Sequence, residues 1–140
     1  MPRLADLKAS FVQHKTGIAD EDHGRPQPDG TTQWGGFEIE TMHHTDILAE
    51  VHGIFFGCPL CYVKNGNSMK GTHYVLVSFA GRNFPAKYGS RDSNGKPSRW
   101  EVSGTGYDDL VCTPSIYLKG PGCEWHGFIG SSGVPPGHAV

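Results

Sequence analysis

The sequence predicts an all-β domain built from short antiparallel strands, and three observations point to it. The 140 residues include 20 glycines and 10 prolines, so turns punctuate the chain more often than a helical bundle tolerates. The apolar residues, 36% of the total, are not diluted as in a disordered chain but gather in short runs. Those runs are rich in β-branched and aromatic side chains and either alternate with polar residues or stand briefly between turn residues. At this length one core of modest size is expected.

Taken in order, the first element is the least regular. Leu4, Leu7 and Phe11 fall at i, i+3 and i+7, which predicts a short amphipathic helix over residues 3–14 or an arm docked on a partner. Residues 17–36, GIADEDHGRPQPDGTTQWGG, have loop composition throughout. Residues 1–36 are therefore expected to form an extended N-terminal arm, ahead of a β domain over 37–140. In that domain Phe37 and Ile39 alternate with Glu38 and Glu40, and residues 47–56 make a longer apolar run. HYVLVSF (73–79), RWEVS (99–103), SIYL (115–118) and WHGFI (125–129) complete a set of six strands. Asn65-Gly66 and Asn94-Gly95 supply residues that accept the positive φ of tight turns.

The formal net charge of -2 provides no overall attraction to nucleic acid or anionic lipid. The charge is unevenly placed, however. Residues 18–50 carry eight acids against one base, Arg25, whereas residues 81–99 carry five bases against one acid, Asp92. No stretch approaches the roughly 18 apolar residues of a membrane span, and the N-terminus MPRLADLKAS lacks the apolar core of a signal peptide. A soluble intracellular protein is expected, and in such a compartment four cysteines are more often thiols or metal ligands than disulfides.

The spacing of those cysteines carries most of the chemistry. Cys58-Pro-Leu-Cys61 is a CxxC, and Cys123-Glu-Trp-His126 is a CxxH just before the last strand. Two such pairs make one tetrahedral set, because a two-residue spacer in a tight turn lets both members point at one ion. The expected cofactor is structural zinc bound by Cys58, Cys61, Cys123 and His126, clamping two small sheets together. The 61 residues between Cys61 and Cys123 exceed the spacing of common zinc fingers, so the tertiary fold must close the site. His73 reads as a half-buried structural histidine, or as a ligand or proton carrier at the metal. Cys112 reads as a small buried hydrophobe, or as a spare ligand. A redox role for the CxxC is disfavoured, since YVKNGNS after Cys61 reads as a turn with no helix to activate a thiol. His43-His44 with Asp46 resembles a ligand fragment, but reads more simply as solvated side chains.

Signatures of catalysis are missing. The sequence has no HExxH, no deaminase HxE before PCxxC, no GxSxG and no GxxxxGK. The basic stretch GRNFPAKYGSRDSNGKPSRW could grip a phosphate backbone through Arg82, Lys87, Arg91, Lys96 and Arg99, with Phe84, Tyr88 and Trp100 stacking on bases. It reads more simply as a long hairpin loop whose aromatics pack on the sheet and whose charges face solvent.

The order CPLC, HYVLVSF, RWEVSG, TPSIYL and CEWHGFI, ending at Gly133, resembles a family of small phage-encoded proteins of unknown function, some of them labelled ammonia monooxygenase. That label fits nothing in this chain. The resemblance covers about residues 55–133. It implies a zinc-dependent β domain, with the family's CPxC at Cys58 and Cys61, its Cys/His-Gly-Phe segment at Cys123 and His126, and its strand-opening histidine at His73. It also implies a phage origin, hence a place in the host cytoplasm or the virion. The function expected on all these grounds is non-enzymatic docking on a virion component or a host protein. Two rivals stand beside it: a zinc hydrolase with an open metal position, served by His73 or Glu124, and a nucleic-acid binder acting through residues 81–100.

Overall fold

A computed structural model describes residues 1–120 and 122–140. The elements are β1 (Ser10–Ile18), β2 (Gly24–Pro26), β3 (Thr32–Trp34), β4 (Glu38–His44), β5 (Gly53–Gly57), α1 (Pro59–Lys64), β6 (Tyr74–Ser78), β7 (Glu101–Ser103), β8 (Val111–Gly120) and β9 (Cys123–Ile129). The pairings β1–β5, β2–β3, β5–β6, β7–β8 and β8–β9 are antiparallel, and the class is all-β as the composition predicts. No helix among the described residues is long and apolar enough to cross a membrane.

The chain divides into two compact units, one made of Met1–Gln13 with His44–Val140 and one of His14–His43. In the larger unit the first residues depart from the helix or extended arm that their spacing suggests. Leu7 N donates to Leu4 O at 3.1 Å and Lys8 N to Ala5 O at 3.2 Å, and Lys8 then turns the chain with a φ of 54°. Leu4, Leu7 and Phe11 are all wholly buried. A turn followed by a strand places three apolar side chains in one core as well as a helix face does, so their spacing was ambiguous.

β1 enters the sheet through Phe11, which pairs with Ile54 of β5, and β5 pairs in turn with β6 from Gly53↔Ser78 to Gly57↔Tyr74. A second sheet has the order β7-β8-β9. Its register sets Leu118 against Trp125 and Ile116 against Gly127, with an irregularity between Cys112 and Ile116. The two sheets are stitched where Trp100 N donates to Ser78 O at 2.9 Å and Ala80 N to Trp100 O at 2.8 Å. Between them Phe11, Phe56, Phe79, Ile116, Trp125 and Ile129 belong to one buried cluster, in which Phe56 meets Trp125 edge-on at 5.7 Å. Burial of such side chains is the main stabilising term, at about 25 cal/mol per Å² of apolar surface.

The last residues add to β9. Phe128 N donates to Val140 O at 2.8 Å and Val140 N to Phe128 O at 3.0 Å. This close pairing requires Gly127, because a Cβ there would lie 1.9 Å from Val140 O and 2.7 Å from Trp125 Nε1. Gly127→Ala is expected to cost on the order of 2–4 kcal/mol, read as a lower denaturation midpoint. Gly66→Ala, whose Cβ would meet nothing within 4 Å, carries only the penalty of its positive φ of 74° and serves as the comparison.

The smaller unit holds the segment whose composition suggests a loop. There β2 and β3 form a hairpin, with Arg25 opposite Gln33, and the Arg25 guanidinium lies 4.7 Å over the Phe37 ring. The turn between them is closed by Asp29, which accepts from the backbone N–H and hydroxyl of Thr31 at 2.9 and 2.6 Å. Residues 1–36 are thus not one arm. They divide between the two units, and the expected boundary at 36 falls inside the smaller one. Of the two turn dipeptides, Asn94-Gly95 lies in a tight turn bridged by Arg91 and Pro97, whereas Asn65-Gly66 ends α1, with Asn65 N donating to Cys61 O at 2.9 Å.

Candidate metal centre

Three segments of the larger unit deliver four side chains to one point. The β5 ladder runs on past its last strand residue, with Cys58 N donating to His73 O at 2.8 Å. Cys58 and His73 are therefore cross-strand neighbours at the end of the β5–β6 pair. Immediately after Cys58 the chain turns into α1, with Pro59 at its first position and Cys58 as its N-cap residue. One helical turn later Cys61 returns to the same side. Cys123 comes from the other sheet, at the first residue of β9 opposite Gly120. Gly120 is also where the His73 ring approaches, with Cε1 at 3.6 Å from the position of a Cβ.

The donor atoms of Cys58, Cys61, His73 and Cys123 all lie within 4.8 Å of one another. Cys123 Sγ is 3.7 Å from Cys58 Sγ and 3.4 Å from Cys61 Sγ. His73 Nε2 is buried and has no hydrogen-bond partner among the described residues. A buried imidazole nitrogen without a partner costs free energy unless something binds it, and a metal ion held with the three thiols would do so. The thiols fit the same role. Burial, then the Cys123 thiol beside it, pushes Cys61 up from its ordinary value, and burial does the same first for Cys123. Both protons would leave when a cation takes the site.

His126 stands outside this group, and the reason lies in strand geometry. Within β9, positions 123 and 126 are three residues apart and face opposite sides of the sheet. A two-residue spacer converges on one ion in the α1 turn but not in an extended strand. His126 is exposed, its Nε2 pairs with Ser115 Oγ at 3.1 Å, and its ring packs edge-on against Tyr117. The fourth donor of the cluster is His73, the alternative ligand of the sequence reading, which cross-strand pairing brings beside Cys58. Cys112 also lies elsewhere, opposite Val102 in β8, where burial pushes its thiol up to about 12. It is a core side chain. The expectation that YVKNGNS after Cys61 is a turn without a helix also fails in part, since α1 (Pro59–Lys64) runs through its first three residues.

The remaining sequence candidates are engaged elsewhere. His44 Nδ1 pairs with Ser10 Oγ at 2.8 Å and its Nε2 with Asp46 at 3.1 Å, while His43 Nε2 pairs with Thr41 at 2.7 Å. Glu124 accepts from the Tyr117 hydroxyl. In the basic stretch, Arg82 donates to Leu48 O and Val51 O at 2.7 and 3.0 Å, pinning the loop before β5. Lys87 Nζ sits 5.4 Å over the Tyr88 ring, and Arg91 donates to two backbone carbonyls. Phe84 and Trp100 are buried, so neither ring is open to stack on a base.

No family model, curated protein or solved structure matches the chain. The metal centre accordingly rests on its own geometry.

Proposed function

We propose that the chain is a zinc-stabilised binding domain, in which one structural zinc held by Cys58, Cys61, His73 and Cys123 clamps the two sheets, and that it acts by docking on another protein. The observation that carries this reading is the convergence of three thiols and one orphaned imidazole from three chain segments. At Zn–S distances of about 2.3 Å, the donors of a tetrahedral zinc lie about 3.7 Å apart, close to the sulfur separations of 3.7 and 3.4 Å. A soft, thiolate-rich set selects zinc over the hard divalent cations. Four protein donors complete the shell and leave no position for the water that a zinc hydrolase needs.

Docking is supported by a groove beside the centre, where Leu60 and Val63 of α1 are 39% and 57% exposed and face Pro2, Trp125 and Val140 across an apolar cleft. The phage resemblance extends the reading to a virion component or a host protein as the partner.

The deciding experiment combines elemental analysis with X-ray absorption on wild type, His73→Ala and His126→Ala. The expected result is one zinc per chain with three sulfur and one nitrogen ligands, lost in His73→Ala and kept in His126→Ala. An oxygen ligand at wild-type zinc would replace the structural reading with the hydrolase. Zinc lost in His126→Ala but retained in His73→Ala would overturn the ligand set.

A further inference from the structure

Away from the metal centre, the loop carrying residues 91–99 forms a cleft against the face of β8, lined by Arg91, Arg99, Ser98, Ser115, Tyr117 and Lys119. Its two guanidinium groups are fixed by backbone carbonyls. Arg91 donates through Nη1 to Gly95 O at 2.8 Å and through Nη2 to Ala86 O at 3.1 Å. Arg99 donates through Nη1 to Ser98 O at 2.8 Å and through Nη2 to Pro85 O at 3.1 Å. Carbonyls orient a guanidinium without neutralising it, and each group has five N–H donors, so both keep donors in reserve. Neither arginine forms an ion pair among the described residues.

Two cations held side by side without a carboxylate repel one another. Burial, and after it the Arg91 charge, lowers Arg99 from its ordinary value. The acid on the cleft wall, Asp92, directs its Oδ1 at the backbone N–H groups of Asn94 and Lys96, both at 2.9 Å. Lys119 adds a third cation, with Glu124 at 4.0 Å. What relieves such an arrangement is an anion with several acceptor oxygens, since guanidinium forks match phosphate geometry. The apolar part of the wall, with Pro97, Pro114 and the half-exposed Tyr117, offers a surface for a planar ring. The cleft volume of about 910 Å³ falls in the range of small-molecule sites.

We propose that this cleft binds a nucleotide, free or within a single strand, with its phosphates between Arg91, Arg99 and Lys119 and its base against Tyr117. The site keeps Arg91 and Arg99 of the basic stretch and adds Lys119 from β8, whereas Arg82 is committed to the loop before β5.

The test titrates the full-length chain with inorganic pyrophosphate, a nucleoside triphosphate and a short single-stranded oligonucleotide, followed by amide NMR shifts at low and moderate salt. Lys119 and Glu124 are 76% and 55% exposed, so their variants keep the fold. Lys119→Gln is expected to weaken nucleotide binding by roughly tenfold. Glu124→Gln, which removes the competing carboxylate, is expected to strengthen it by about two- to threefold. Tyr117→Ala should abolish the preference for the triphosphate over pyrophosphate. A triphosphate that binds as tightly as the oligonucleotide supports a free nucleotide as the natural ligand. A tighter oligonucleotide whose affinity falls steeply with salt supports a strand. No shifts in residues 91–99 and 115–119 at millimolar ligand, or binding indifferent to both charge variants, overturns the proposal. Equal affinity for pyrophosphate and nucleotide in wild type overturns the assignment of the base.

Discussion

Stripping the metal with a strong chelator is expected to unfold the larger unit, with the near-ultraviolet signals of Trp100 and Trp125 collapsing together and returning when zinc is restored. The apparent binding free energy of a structural zinc is about 10 kcal/mol, and the net stability of a whole domain is only about 5–15 kcal/mol. Removing the ion therefore withdraws a quantity as large as everything else that favours folding. The location of the site makes the effect global. Cys58 and His73 close the end of the β5–β6 pair, Cys61 lies in α1 and Cys123 begins β9, so without an ion the two sheets would lose the clamp at that end. Cys58 is wholly buried, and the orphaned Nε2 of His73 is left uncompensated. A chelated protein shown by elemental analysis to be metal-free, yet melting at the wild-type temperature, would refute the structural role.

Phe56→Ala is expected to cost about 3–5 kcal/mol, a fall of roughly 10–20 °C in Tm for a chain of this size. Phe56 is wholly buried in β5, and its ring meets Trp125 of β9 edge-on at 5.7 Å. Truncation leaves a cavity between the two sheets, close to the cysteine cluster, and the surrounding strands relax only in part. Tyr74→Ala, on the neighbouring strand but with 53% of its surface exposed, should change stability by no more than about 0.5 kcal/mol. Differential scanning calorimetry on both variants in the metal-loaded state separates the packing contribution from metal loss. A shift for Phe56→Ala as small as that for Tyr74→Ala would mean that the sheets do not pack through this contact.

Much of the architecture is legible in local patterns. Runs such as YVLVS and EVS carry the period and side-chain types of strands, and β6 and β7 form there. The CxxC was legible because its two-residue spacer sits in a turn wherever a chain reverses into a helix, and α1 does this after Cys58. Cys112 was legible as core because an isolated thiol in an apolar strand has nothing to bind.

Other features had no local signature. Leu4, Leu7 and Phe11 satisfy a helical period, yet they reach the core from a turn and a strand. The hairpin of β2 and β3 hides in a segment dominated by Gly, Pro and Asp, since three-residue strands leave little periodicity to detect. The basic stretch showed its charge in sequence but not its use, because whether an arginine meets solvent or a carbonyl depends on what folds beside it.

The metal centre divides along the same line. The sequence alone determined that Cys58 and Cys61 converge, since a chemical spacing within one turn depends on local backbone geometry. It also carried Cys123 as a further thiol donor. Only the tertiary structure decided between His126 and His73. CxxH in a turn would bring both residues to the ion, but β8 pairs with Cys123 through Ile129 and extends that segment, so alternation turns His126 to the opposite face. His73, fifteen positions from Cys58 in the chain, becomes its neighbour through the β5–β6 ladder. Register between strands is a long-range property, set by the packing of the whole core, and that packing selects the histidine.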